Sequence, residues 1–206
     1  MHVELRDVGH RFETHPWLFR HIDYVFRSGR VYALTGPSGS GKSTLLGMVA
    51  RLAVPREGNI QFDGVADATW VFQNPGGTPR RAALDHVMLP SLARGMSIAA
   101  AREESLILLA TFHLEHVAQR PFGDLSGGEA QRLMLARGLA AHPNLFLVDE
   151  PTAQLDRKTA AEVDRVLASL AAPDSIVVVA THDAQTRDAC TDVCDLDDLA
   201  QTRRDA

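Results

Sequence analysis

Cysteine is nearly missing from this sequence: Cys190 and Cys194 stand four positions apart and are the only two thiols. That spacing is neither a C-x-x-C redox pair nor half of a zinc site, so two free thiols are expected. Runs of positive charge are missing as well. No basic stretch exceeds two residues (Arg80-Arg81 and Arg203-Arg204), and the formal net charge is −5. This excludes a polybasic membrane anchor and argues against non-specific nucleic-acid binding. Long apolar runs are absent too. Stretches such as Ile176 to Ala180 fall far short of the roughly 20 residues a bilayer span needs. The start, "MHVELRDVGHRF", lacks the apolar core of a signal peptide, and the expectation is a cytoplasmic chain. Internal repeats and low-complexity segments are not found.

Histidine is plentiful, with nine residues, and His113 and His116 in "HLEH" could share a helix face. No second ligand pair follows at a typical distance, so a solvated helix end is the expectation there rather than a metal site.

The pattern of elements is alternating. "HVELRDV" and "IDYVF" read as half-buried strands, and "RVYALTG" as a buried strand ending in a glycine-rich loop. A helix is expected from Lys42 to about Ala53, then strands at "NIQFDG" and "TWVFQ", punctuated by Gly58 and Gly64. From Asn74 to about Asp124 the strand signal vanishes. Helical stretches follow at "RAALDHVMLPSLARG" and "SIAAAREESLILLATFHLEHV", the latter with Ser97 as N-cap. Then come a helix in "GGEAQRLMLARGLAAH", a strand in "NLFLVDE", a helix in "DRKTAAEVDRVLASLAA" and a strand in "SIVVVATHD". Strands alternating with helices imply an α/β fold with a mostly parallel sheet covered on both faces. The whole, 1–206, is expected to be a single domain carrying a helical insertion at about 74–140. The polar tail "DLDDLAQTRRDA" is expected to be frayed.

Gly36-Pro37-Ser38-Gly39-Ser40-Gly41-Lys42-Ser43, followed by Thr44, fits G-x-x-x-x-G-K-[ST] between a strand and a helix. Glycines let successive N–H groups turn inward, and the helix start adds the positive end of its dipole. Such a loop cradles phosphates, with Lys42 reaching the β- and γ-phosphates and Ser43 ligating Mg²⁺. "LFLVDE" places Asp149 and Glu150 at the C-terminal end of a buried strand, the edge where α/β sheets bind ligands. Asp149 suits the Mg²⁺ shell, and Glu150 a role in orienting an attacking water. A second candidate cradle is "DLSGGEAQR": Ser126 can cap a helix whose first turn, Gly127-Gly128, is bare of side chains. Taken by itself it is equally well a capping box of Ser126 with Glu129.

Together these motifs resemble the ATP-binding-cassette family over nearly the whole chain. "GPSGSGKST" is similar to its Walker A loop, "VFQNP" to its Q-loop with Gln73, and "LSGGEAQR" to its signature. "LFLVDEP" is similar to Walker B, "AQLD" to the D-loop, and "THD" to the switch segment with His182. The resemblance implies a P-loop fold with an antiparallel N-terminal β part, ATP and Mg²⁺ as cofactors, and Glu150 as catalytic base. Lys42, Gln73 and His182 are its companions, with Ser43, Gln73 and Asp149 around the metal. It implies that Ser126, Gly127 and Gly128 serve the ATP of a facing subunit in a homodimer or heterodimer, with Asp156 linking the two sites. It implies an aromatic stacked on adenine: Phe12 by position, with Trp17 as the alternative.

The function so implied is ATP hydrolysis on the cytosolic face that powers a permease on a separate chain, which is the chain's only tie to the membrane. The alternative is a soluble ATPase for iron–sulfur assembly or cell division. The permease is expected to dock around residues 74–95, with Arg80, Arg81 and Leu84 as contacts. "LDHVMLPSLARG" and "AQLD" resemble the lipoprotein-release and macrolide-export type. "QNPGGTPRR" departs from what usually lies between in that type, while Glu129 departs from the glutamine common in the family and Gln154 from its more usual small residue or asparagine.

Overall fold

The computed structural model describes residues 1–201. In chain order the strands and helices are β1 (His2–His10), β2 (Phe19–Arg27), β3 (Arg30–Thr35), α1 (Lys42–Val49), β4 (Glu57–Asp63) and β5 (Ala68–Val71). Next come α2 (Ala83–Ala93), α3 (Ile98–Thr111), α4 (Gly127–Ala140), β6 (Leu145–Asp149) and α5 (Arg157–Ala168). The order closes with β7 (Ile176–Ala180), α6 (Ala184–Ala189), β8 (Asp192–Asp195) and α7 (Leu196–Gln201). One sheet is antiparallel, ordered β2-β1-β4; the other is parallel, ordered β5-β6-β7-β3-β8. The α/β fold with a parallel core and an antiparallel N-terminal part is the one expected from the sequence. Among the described residues no helix is long and apolar enough to cross a membrane.

The period of two along the central strands explains the layers. In β6, Leu145 and Leu147 face the core shared with the antiparallel sheet, while Phe146 and Val148 face the core under the helices. In β7, Ile176, Val178 and Ala180 join the first of these cores and Val177 and Val179 the second. Every residue of both strands is buried, as a parallel sheet covered on both faces requires. The helical core adds Leu84, Val87, Leu109, Phe112 and Leu133 from α2, α3, α4 and the end of α3. α4 crosses this core closely enough that a Cβ on Gly138 would stand 2.7 Å from the Phe146 ring.

Three expectations need correction. Leu84 is 1% exposed inside the helical core and cannot be a docking contact; Arg80 and Arg81 are exposed. The first helix ends at Val49, not near Ala53, because Arg51 takes the left-handed conformation (φ 61) and Leu52 N–H turns back to Gly47 O at 2.8 Å. The tail is ordered as far as it is described. Leu196 is buried and Leu199 packs beside it on the core shared with the antiparallel sheet, one turn apart on α7. Their polar neighbours hid that pair. Residues 202–206, including Arg203-Arg204, lie outside the described residues. Both cysteines are free, and burial pushes the Cys190 thiol up to about 11.

Candidate active site

The C-terminal ends of β3, β6 and β7 open side by side, and three loops leave from them. After β3 the chain turns through Gly36, Gly39 and Gly41 with φ of 140, 82 and 99, a region that glycine enters without penalty. Gly41 is also sterically required: a Cβ there would stand 2.8 Å from the Phe19 ring. Gly41 is the N-cap of α1 and offers no side chain to the first-turn amides. Lys42 is buried, and its ammonium donates to Gly36 O at 2.8 Å and Pro37 O at 3.0 Å across the loop. Ser40 Oγ lies buried beneath the same loop without a partner.

Asp149 ends β6 and is 6% exposed. Burial holds its carboxyl above the usual carboxylate range; the Ser43 hydroxyl bond opposes this, neighbouring Glu150 adds to it, and Lys42 opposes it. Glu150 follows in the left-handed region (φ 47). Its N–H nevertheless reaches Ala180 O at 2.9 Å, so the turn redirects the side chain without breaking contact with β7. Glu150 Oε1 lies 2.8 Å from His182 Nδ1, with side-chain exposures of 11% and 70% respectively. A pair so open on one side contributes little to stability; what it sets is the orientation of the carboxylate.

These loops enclose a cavity of about 430 Å³ lined by Phe12, Leu18, Ser38, Gly39, Gly41, Lys42, Ser43, Thr44, Gln73, Asp149, Glu150 and His182. Of the site residues proposed from the sequence, the cavity collects the loop, both carboxylates, Gln73, His182 and Phe12. Gly36, Pro37 and Ser40 of the loop do not line it; Gly36 O and Pro37 O are the acceptors of the Lys42 ammonium. Trp17 lies elsewhere, between the guanidinium groups of Arg11 and Arg20 at 4.7 and 4.4 Å. Leu18 was missed because a lone leucine in a loop carries no motif. Asp195 was missed because the tail read as frayed. Its carboxylate accepts from Thr35 Oγ1 at 2.7 Å and from Asp197 N–H at 2.9 Å, anchoring β3 where the glycine loop leaves it. Burial alone would raise this carboxyl, but the Thr35 hydroxyl, the N–H groups of Asp198 and Asp197 and the charge of Lys42 together hold it below its ordinary range.

Ser126, Gly127 and Gly128 do not line the cavity. Ser126 caps α4 and closes a reciprocal box with Glu129: Ser126 N–H donates to Glu129 Oε2 at 2.8 Å, and Glu129 N–H to Ser126 Oγ at 3.3 Å. His116 and Arg120 stand 3.3 and 3.7 Å from Glu129 Oε1, and His113 stands 3.5 Å from Glu162. A Cβ on Gly127 would stand 2.5 Å from Gln154 Oε1, so the segment equated with the D-loop lies against this helix start. Asp156, at the end of that segment, caps α5 by accepting from the N–H groups of Lys158 and Thr159 at 3.0 and 3.1 Å.

A family profile described as ABC transporter matches residues 19–153. An uncharacterized ABC transporter ATP-binding protein of Mycobacterium bovis is 42% identical over 173 residues, covering 76% of this chain and 52% of the relative. The chain thus spans about half the length of that relative. The lipoprotein-releasing system ATP-binding protein LolD of Nitrobacter winogradskyi is 36% identical over 206 residues, covering 90% of the chain and 88% of the relative. Among solved structures, an ATP-binding cassette captured as a dimer in a post-hydrolysis state with ADP and Pi superposes with a TM-score of 0.84 at 30% identity, covering 94% of both chains.

Proposed function

This chain belongs to the ABC transporter family, and from that premise we propose that it binds and hydrolyses ATP to drive a transporter whose membrane-spanning part is a separate chain. The observation that carries this is the single cavity in which a buried lysine, a helix start without a side-chain cap, two strand-end carboxylates and a histidine converge. The loop amides and Lys42 hold the phosphate chain. Phe12, on the cavity wall, stacks on the adenine, and the position of Trp17 between two arginines favours Phe12 over it. Glu150, oriented by His182, holds and polarises the water that attacks the γ-phosphate, and His182 is free at its other nitrogen to meet that phosphate.

Hydroxyl, carboxylate and amide oxygens are the donors Mg²⁺ takes. Ser43, Asp149 and Gln73 share the wall of this cavity, which suits those three residues to hold it, where it would neutralise charge on the phosphates. The start of α4 supplies nothing to this cavity, which supports a second cassette, identical or related, bringing its own residues 126–128 to the nucleotide. A groove of about 480 Å³ between the loop after β5 and helices α2 and α4, with Phe72, Pro75, Pro90 and Arg137 on its walls, supports docking of the permease on that side and hence a place on the cytosolic face of the membrane. The relatives reported above are named for transport, which favours this reading over a soluble assembly role.

The test is the variant Glu150→Gln. With ATP and Mg²⁺ it should retain nucleotide and run as a dimer in size-exclusion chromatography, while the parent hydrolyses and returns to monomer. Persistent hydrolysis at the parent rate removes Glu150 from the mechanism.

A further inference from the structure

Behind the cavity lies a buried polar contact that the catalytic reading leaves unused. Thr186, on α6, is 2% exposed, and its hydroxyl lies 3.1 Å from that of Thr152, which is 7% exposed in the turn that follows Glu150. Asp164, on the facing side of α5, is 4% exposed; its Oδ2 accepts from Gln185 Nε2 at 3.4 Å and its Oδ1 has no partner. Burial holds this carboxyl above the usual range, and hydrogen bonds from Thr186 and Gln185 pull it back. Asp183 starts α6 by accepting from the N–H groups of Gln185 and Thr186 at 2.8 and 3.0 Å, and His182 immediately precedes it.

Helix α6 and the two residues before it are therefore tied to the 150–155 loop at two points: His182 to Glu150, and Thr186 to Thr152. The two ties differ in strength. The His182 side chain is 70% exposed, so water and salt compete with its bond. The threonine pair is dry, where a hydrogen bond is electrostatically stronger and costly to leave unmade. We propose that Thr186 is a positioning residue: its bond to Thr152 fixes α6 against the 150–155 loop and so holds His182 on Glu150 in the orientation hydrolysis needs. The idea rests on the reading of Glu150 and His182 given above.

The experiment separates volume from hydrogen bonding. Thr186→Val keeps the packing and removes the hydroxyl; Thr186→Ser keeps the hydroxyl and removes a methyl. Steady-state hydrolysis of ATP with Mg²⁺, KM for ATP and Tm are measured for both, with Glu150→Gln in parallel. The expected result for Thr186→Val is a kcat about tenfold lower with KM for ATP within about twofold of the parent. Thr186→Ser should keep kcat within about twofold even where its Tm falls. Equal kcat in the parent and Thr186→Val, or a kcat that simply follows Tm across the two variants, overturns the proposal. Glu150→Gln distinguishes the two ideas. If it abolishes hydrolysis while Thr186→Val does nothing, the catalytic reading stands and the positioning role falls. If it hydrolyses at the parent rate, both fall. Should Thr186→Val not fold, Asp164→Leu against Asp164→Asn makes the same comparison from the other end. A kcat lowered only in Asp164→Leu, at unchanged KM, supports the proposal; an equal kcat in the two overturns it.

Discussion

Two helix starts in this chain have similar glycine-rich sequences and opposite surroundings. α1 begins at Gly41, which has no side chain to offer its first amides, and around it stand Lys42, Ser43, Asp149, Glu150 and His182. α4 begins at Ser126, whose hydroxyl takes the Glu129 N–H in a box closed by the Glu129 carboxylate, and its start is not part of the cavity wall on which those groups stand. The dipole alone therefore does not make a phosphate site. An orphan amide binds an anion only if no local side chain has already taken it and if counter-charge and donors converge from other elements. α1 meets both conditions within its own chain. α4 meets neither fully, which fits a role completed by another molecule.

The largest effect that can break this contrast is at Glu150. Glu150→Gln should reduce kcat by about 10²–10⁴-fold while ATP binding persists, measured by phosphate release and by nucleotide titration. A reduction in binding of the same size would instead make Glu150 part of the cradle. Next is Lys42→Ala. Removing a buried ammonium from a phosphate site should weaken ATP binding by on the order of 10- to 100-fold, seen by calorimetry.

The difference between the helix starts is sharpest in a mixing experiment. Lys42→Ala disables the α1 side, and Ser126→Arg blocks the α4 side. Each alone should be inactive as a homodimer. Mixed in equal amounts, random pairing should restore roughly a quarter of the parent rate, because half of the dimers then carry one intact composite site. No recovery would mean that α4 does not act across a two-fold pairing of this chain. Smaller is the cost of the cap itself: Ser126→Ala should lower stability by about 1 kcal/mol, read from chemical denaturation.

The smallest expected effect concerns pH. Asp149 is raised in the folded state by burial, so its contribution is present below the unfolded carboxylate pKa and is lost as pH rises through the folded value. Asp149→Asn should therefore lift Tm of the nucleotide-free chain at neutral pH and leave it unchanged at low pH. A Tm gain that is the same at every pH would trace the effect to packing rather than charge.

Much of the site was legible because its chemistry is local in sequence. The loop 36–44 carries its own conformation in its glycines and its own charge in Lys42. The carboxylates of Asp149 and Glu150 are placed by an apolar strand that needs no context to be recognised. What escaped notice lacks that locality. Asp195 and Leu196 read as tail because their partners, Thr35 and the core shared with the antiparallel sheet, lie about 160 positions away. Leu84 read as a surface contact because the loop beside it is polar, yet its own helix turns it inward. The pairing of Thr152, Asp164 and Thr186 joins three segments, none of which carries a motif for it.

By itself, then, the sequence determined the order of strands and helices as far as β7, the glycine loop at 36–44 and the identity of the acidic pair, since periodicity, glycine freedom and side-chain charge act over a few neighbouring residues. Only the tertiary structure decided that Phe12 rather than Trp17 faces the cavity, that the start of α4 stays out of it, and that Glu150 turns toward His182. Those outcomes depend on which strand ends lie side by side in the sheet, and that is settled by burying two faces at once rather than by any local preference.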